Sequence, residues 1–205
     1  MDTTKIPKLY LITDSTLTKQ DTEKDTEQAL EAGIKIIQYR EKNLPEHQIL
    51  KTAKKLKTLT KKHNALLIIN DHPKIAEQIG ADGIHIGQTD TGIKEAKKIF
   101  KGPIIGISAK TINEAKQAEA DGATYLGIGP IFNTKTKSDA GKGIGLKTLK
   151  QIKQNTTIPI VAIGGITKTN AKQVIKAGAD SIAVISAIIG KDIKKETHEL
   201  QAVIQ

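Results

Sequence analysis

The chain has 205 residues and a formal net charge of +10, from Lys+Arg 32 against Asp+Glu 22, and 38% of it is apolar. At about 150 residues per domain this allows one large or two small domains, while Gly 17 and Pro 6 exclude disordered and collagen-like classes. Cysteine is absent, which excludes disulfide frameworks, Fe–S clusters, Cys-ligated zinc and thiol nucleophiles and suits a reducing cytoplasm. No stretch approaches the roughly 18 apolar residues of a membrane span, and the start lacks a secretory apolar core. A soluble, cytoplasmic protein with no membrane partner is expected.

Short runs rich in Ile and Val recur along the chain. They fall at Lys8–Thr13, Ile34–Tyr39, Ala65–Asn70, Gly83–Gly87, Pro103–Ser108, Thr124–Gly129, Ile158–Gly164 and Ser181–Ser186, and read as eight strands. Between them, Glu46–His63, Asn113–Ala120 and Asn170–Ala177 show helical periodicity. Thr111 and Glu114 have capping-box spacing, and Gly33, Gly80, Gly122 and Gly178 stand where a helix ends and a strand begins. A repeat follows these glycines. Gly80-Ala81-Asp82, Gly122-Ala123-Thr124 and Gly178-Ala179-Asp180 resemble one another, with Gly33-Ile34-Lys35 a looser copy. Eight near-continuous apolar strands alternating with helices predict a parallel sheet covered by helices, closed as a single-domain (β/α)8 TIM barrel.

Lys51, Lys54, Lys55, Lys57, Lys61 and Lys62 crowd one predicted helix and read as its solvated face. A nucleic-acid partner would call for arginine forks and aromatic platforms, yet aromatics are 2% and Arg40 is the only arginine. Nucleic acid is therefore not expected. The lone guanidinium offers a planar fork for phosphate or carboxylate, with a structural salt bridge as the alternative.

In such a barrel the chemistry sits at the C-terminal ends of the strands. After the second run stands Gln38-Tyr39-Arg40-Glu41-Lys42. Alternation puts Gln38, Arg40 and Lys42 on one inward side, while Glu41 turns away. Two converging cations imply an anionic ligand or buried acids. Asp71 follows the third run and Asp90 the fourth. Each alone reads as a helix cap, but two acids on adjacent strand ends facing Arg40 and Lys42 suit a hard cation such as Mg2+. His85 reads as a hydrogen-bonded wall residue. Beyond the sixth run, Asn133 to Gly143 forms either a phosphate clamp and lid or a solvated loop. Gly164-Gly165 and Ile185-Ser186 follow the seventh and eighth runs, where barrels bind phosphate. Two anion sites, one metal and no activated nucleophile point to a diphosphate held by Mg2+ beside a second, monophosphorylated substrate.

These residues resemble one family. Leu9-Tyr10-Leu11-Ile12-Thr13-Asp14, Gln38-Tyr39-Arg40-Glu41-Lys42, Asn70-Asp71, Gly83-Ile84-His85-Ile86-Gly87-Gln88-Thr89-Asp90, Gly129-Pro130-Ile131-Phe132 and Gly164-Gly165-Ile166 are similar to thiamine phosphate synthases, in order, from near Lys8 to about Ile189. The resemblance implies a transferase that condenses hydroxymethylpyrimidine diphosphate with hydroxyethylthiazole phosphate. It implies that Gln38, Tyr39, Arg40, Glu41, Lys42, Asn70, Ser108 and Lys137 meet the pyrimidine diphosphate, with Arg40, Lys42, Ser108 and Lys137 catalytic. Asp71 and Asp90 would bind one Mg2+, and Thr134, Lys135, Thr136, Gly165, Ile185 and Ser186 the thiazole phosphate. His72 departs from the acid or base that many relatives carry there. The implied partners are small molecules, and a homo-oligomer is compatible with the sequence. The nearest rival is a thiazole tautomerase of similar fold, which uses a histidine after the fifth strand, but no histidine follows Ser108 here. A non-catalytic phosphate- or nucleic-acid-binding protein is the remaining alternative.

Overall fold

A strand buried on both faces carries few polar residues, which is why the apolar runs are nearly continuous. The computed structural model describes residues 6–87, 92–136 and 140–205. Its strands are β1 (Leu9–Ile12), β2 (Ile36–Tyr39), β3 (Leu66–Asn70), β4 (Gly83–Ile86), β5 (Ile104–Ala109), β6 (Tyr125–Ile128), β7 (Ile160–Ile163) and β8 (Ser181–Val184). The helices that follow them are α1 (Thr22–Glu31), α2 (Glu46–Lys62), α3 (Pro73–Ile79), α4 (Ile93–Ile99), α5 (Ile112–Ala120), α6 (Gly145–Asn155), α7 (Ala171–Lys176) and α8 (Ile193–Ile204). All strand pairs are parallel and β1 bonds to β8, closing the barrel in sequence order. The expected (β/α)8 barrel is the observed architecture, and each predicted strand lies within two residues of an observed one at either end.

Strand alternation divides the core into two layers. Tyr10, Ile12, Ile36, Ile68, Ile104, Tyr125, Val161 and Ala183 cluster inside the barrel. Leu11, Ile37, Leu67, Ile84 and Leu126 point outward and pack with helix residues such as Ala53, Leu56, Ala76 and Leu149. On α2, Lys51, Lys54, Lys55, Lys61 and Lys62 are exposed, as expected of a solvated face, and Lys57 is half-buried. Lys55 and Lys57 also pair with Glu23 and Asp82, at 2.8 Å each.

The glycine repeat has a structural cause. Gly122 and Gly178 take φ of 92° and 107°, a left-handed turn that ends α5 and α7 and that glycine enters without a Cβ penalty. The side chain two residues on then ties off the start of the preceding strand. Asp82 Oδ2 accepts from Leu67 N–H at 2.8 Å, Thr124 Oγ1 from Ile105 N–H at 2.8 Å, and Asp180 Oδ2 from Ile160 N–H at 2.8 Å. Lys57 and Lys153 donate to the same two aspartate oxygens, at 2.8 and 2.7 Å. Gly33 makes the same turn, but Lys35 carries no acceptor and its Nζ donates to His63 O at 2.9 Å. Asp82→Ala strands both donors. It is expected to cost about 1–2 kcal/mol and to lower the melting temperature by roughly 2–8 °C without altering turnover, as a thermal melt and an activity assay on one preparation would read.

Candidate functional site

The C-terminal ends of the strands open into a cavity of about 200 Å³. Gln38, Arg40, Asn70, Ser108, Thr134, Thr136, Gly165, Ile185 and Ser186 all line it, so nine residues picked from the sequence converge there. Tyr10, His85, Lys110, Tyr125 and Ile163 complete much of the wall.

Arg40 is set just beyond β2. Its N–H donates to Thr13 Oγ1 at 3.1 Å, which ties the first residue after β2 to the end of β1. The guanidinium reaches Asp14 through one contact, Nη1 to Oδ2 at 3.8 Å. Asp14 is itself buried and held by Thr16, whose N–H and hydroxyl donate to Oδ1 at 2.9 and 2.5 Å. Tyr39 and Glu41 go elsewhere. The Tyr39 ring is buried among the outward-facing core residues, where burial pushes its hydroxyl up to about 12 and keeps it neutral. Glu41 is 4% exposed, and its Oε1 accepts from the N–H groups of Lys42 and Asn43 at 2.8 Å each, an internal cap that shapes the loop. Tyr39 holds an outward strand position and Glu41 turns onto the N–H groups of its own loop, so neither lines the cavity.

Lys42 does not line the cavity either. Its Nζ donates to Asp71 Oδ2, and Asn70 Nδ2 donates to the same oxygen at 2.6 Å. Asp71 holds a left-handed φ of 60°, unusual for a residue other than glycine, and its N–H donates to His85 O at 2.9 Å. A strained backbone thus presents a carboxylate at the rim of the mouth. Asp90 and Lys137 lie outside the described residues. Among the described residues no three His, Cys, Asp or Glu side chains gather as a metal cluster. Any cation there would draw few ligands from these side chains.

The opposite wall is built from β6, β7 and β8. Phe132 N–H donates to Gly164 O at 3.0 Å, and Asn133 Oδ1 accepts from Gly143 N–H at 2.9 Å, pinning both ends of the loop after β6. Within it Thr136 N–H donates to Thr134 Oγ1 at 3.2 Å, and the hydroxyls of Thr136 and Ser186 are 3.0 Å apart, joining this loop to the turn after β8. Lys135, between the two threonines, is exposed and off the cavity. Gly165 takes φ 64°, and a Cβ there would stand 2.7 Å from Asn133 O. The glycine therefore lets two loops meet as well as baring its own backbone. Ile189 N–H bonds back to Ile185 O at 2.8 Å, so a helical turn begins at the cavity with the amides of Ser186 and Ala187 at its start.

A buried polar chain crosses the barrel beneath this mouth. Gln38 Nε2 donates to the Tyr10 hydroxyl at 3.1 Å, which is 3.0 Å from the Tyr125 hydroxyl. That hydroxyl lies 2.9 Å from His85 Nδ1, and His85 Nε2 lies 2.9 Å from Ser108 Oγ. His85 is thus the hydrogen-bonded wall residue expected of it. Tyr10 and Tyr125 carry no sequence prediction as site residues, although two of the chain's three tyrosines at inward strand positions were a signal. Lys110, at the mouth end of β5, carries none either.

The molecule can be set beside known proteins on this footing. A family model described as thiamine monophosphate synthase matches residues 9–188. The thiamine-phosphate synthase of Chloroflexus aurantiacus is 42% identical over 199 residues, covering 96% of this chain and 92% of its own. That of Pyrococcus furiosus is 45% identical over 199 residues, covering 97% and 95%. The solved structure of a thiamine phosphate pyrophosphorylase from Pyrococcus furiosus superposes with a TM-score of 0.90 at 41% identity, over 99% of this chain and 96% of that one.

Proposed function

This chain belongs to the thiamine monophosphate synthase family and is a transferase of thiamine biosynthesis that forms thiamine phosphate, and we propose that it joins a pyrimidine diphosphate to a thiazole phosphate at the barrel mouth. The observation that carries this reading is that Arg40 and Ser108 on one side and Thr134, Thr136, Gly165 and Ser186 on the other line one cavity, each side bearing groups suited to phosphate. Arg40 and Ser108 stand on the side of β2 to β5, with Lys42 at its rim. Thr134, Thr136, Gly165 and Ser186 stand on the side of β6 to β8. One wall takes the diphosphate and the other the monophosphate, which brings the two organic halves together over the barrel interior. The protein works as one barrel domain, and its lack of cysteine suits the cytoplasm.

The chemistry asks for little beyond placement and charge. The methylene C–O bond to the diphosphate breaks and its electron pair leaves with pyrophosphate. The thiazole nitrogen supplies the pair for the new C–N bond. No proton moves in that exchange, so a general base is not needed. Arg40 and Lys42 meet the charge that grows on the leaving group, and the aliphatic side chains of Ile163 and Ile185 help exclude water. A hard cation fits beside them, because Asp71 offers a carboxylate at the rim and a diphosphate brings its own oxygens. We assign Mg2+ to Asp71, with Asp90 as the second acid. When bound, the ion neutralises phosphate charge. Mixing the two phosphorylated precursors with Mg2+ is expected to yield thiamine phosphate and pyrophosphate in equal amounts. Formation of neither product by the folded protein would overturn the reading.

A further inference from the structure

We infer that Lys110 is a further substrate-contacting cation of this reaction, meeting the diphosphate beside Arg40. The inference rests on the reading that the wall from β2 to β5 takes the diphosphate. Along β5, Ile105, Ile107 and Ala109 point into the outer core, whereas Ile104 lies in the barrel interior and Ser108 lines the cavity. Lys110 continues the inward row and lines the cavity too. It stands one residue past its strand, as Arg40 does past β2. Parity holds here because the chain is pinned on both sides. Gly129 N–H donates to Ala109 O at 3.3 Å, and the capping box of α5 follows at once. In that box Thr111 Oγ1 accepts from Glu114 N–H at 3.2 Å, while Glu114 Oε2 accepts from the N–H groups of Lys110 and Thr111 at 2.6 and 3.3 Å. The acid in the first turn of α5 is thus spent on backbone groups. Among the described residues the Lys110 ammonium forms no ion pair.

The cavity gives that charge a partner of one kind. Its described lining includes Arg40 and Lys110 and no aspartate or glutamate, so the balancing anion comes with the ligand. The two sides of the mouth differ in what they need. The monophosphate side offers the hydroxyls of Thr134, Thr136 and Ser186 and the amides at the start of the turn after β8. A diphosphate carries more charge, and Lys42, the other cation of its wall, is tied to Asp71. Without Lys110, Arg40 would be the one cation that the described part of this wall turns to the cavity. The role is one of charge alone. Lys110 forms no bond and passes no proton, and its ammonium offsets the charge that collects on pyrophosphate as the C–O bond breaks.

Calorimetric titration with inorganic pyrophosphate and Mg2+ reads the contact directly. Lys110→Met keeps the stem and removes the charge. It is expected to raise Kd about five- to thirtyfold and to flatten the dependence of Kd on salt, with no change in melting temperature. The KM for the thiazole phosphate is expected to stay within about twofold. Lys110→Arg keeps the charge and is expected to bind within about threefold of the unaltered chain. Lys116→Met is the control for net charge, because Lys116 is exposed on α5 and off the cavity, and it is expected to leave Kd unchanged. Binding of pyrophosphate by Lys110→Met as tight as that of the unaltered chain overturns the inference. So does an equal loss in Lys116→Met, or a loss confined to the thiazole phosphate. Arg40→Met, titrated alongside, separates Lys110 from the wider reading. If that variant also binds pyrophosphate normally, the assignment of the diphosphate to this wall falls; if Arg40→Met alone weakens binding, only the part given to Lys110 falls.

Discussion

Arg40→Lys is expected to leave the barrel folded and to lower kcat/KM by roughly thirty- to a hundredfold, the worth of a charge-assisted bidentate contact of about 2–3 kcal/mol. Lysine keeps the charge and loses the fork. The structure also supplies the rival explanation in Asp14, so the two can be weighed. Their single contact at 3.8 Å sits near the limit of an ion pair and engages one nitrogen of the guanidinium. Pairs of that kind contribute about 1 kcal/mol or less. Asp14 has firmer partners in Thr16, and Arg40 has its place fixed through its backbone by Thr13. A scaffold role would therefore predict near-normal rates and a slightly lowered melting temperature. Turnover and melting measured on the same Arg40→Lys preparation decide the matter, and normal rates would make the sole arginine structural.

The barrel was legible in the sequence because its signal is local. Each strand announces itself by an apolar run, the ends of α1, α3, α5 and α7 by a glycine, and the repeat of Gly-Ala-Asp reports a latch that serves β3 and β7 alike. Alternation also placed Gln38 and Arg40 at the cavity. It failed for Lys42 because β2 ends at Tyr39 and the backbone beyond it turns under the Glu41 cap, so strand parity no longer governs the side chain. The same parity, applied one residue earlier, would have turned Tyr39 into the outer core. The cross-barrel chain was not legible at all. Tyr10 and Tyr125 are 115 residues apart, and their hydroxyls meet only because β1 and β6 face each other across the closed sheet. Only closure fixes which strands stand opposite. Cavity-lining Lys110 was hidden for another reason, since one lysine among so many carries no mark of its own.

The largest loss is expected at Asp71, and its backbone dictates how to test it. At φ 60° an alanine adds strain of about 1–2 kcal/mol, whereas asparagine adopts this conformation readily. Asp71→Asn removes the charge and keeps the shape. It is expected to lower kcat/KM by about two orders of magnitude at limiting Mg2+ and to raise the Mg2+ concentration needed for half-maximal rate, with little change in melting temperature. A different role is visible in the structure, because Asp71 also holds Lys42 through Oδ2. If steering Lys42 were its whole purpose, Lys42→Met would reproduce the loss and the Mg2+ requirement of Asp71→Asn would match that of the unaltered chain. If Asp71 is a metal ligand, Lys42→Met slows turnover while leaving the Mg2+ dependence in place. Titrating Mg2+ against rate in both variants therefore assigns the carboxylate, and undiminished activity of Asp71→Asn at limiting Mg2+ would remove the ion from this site.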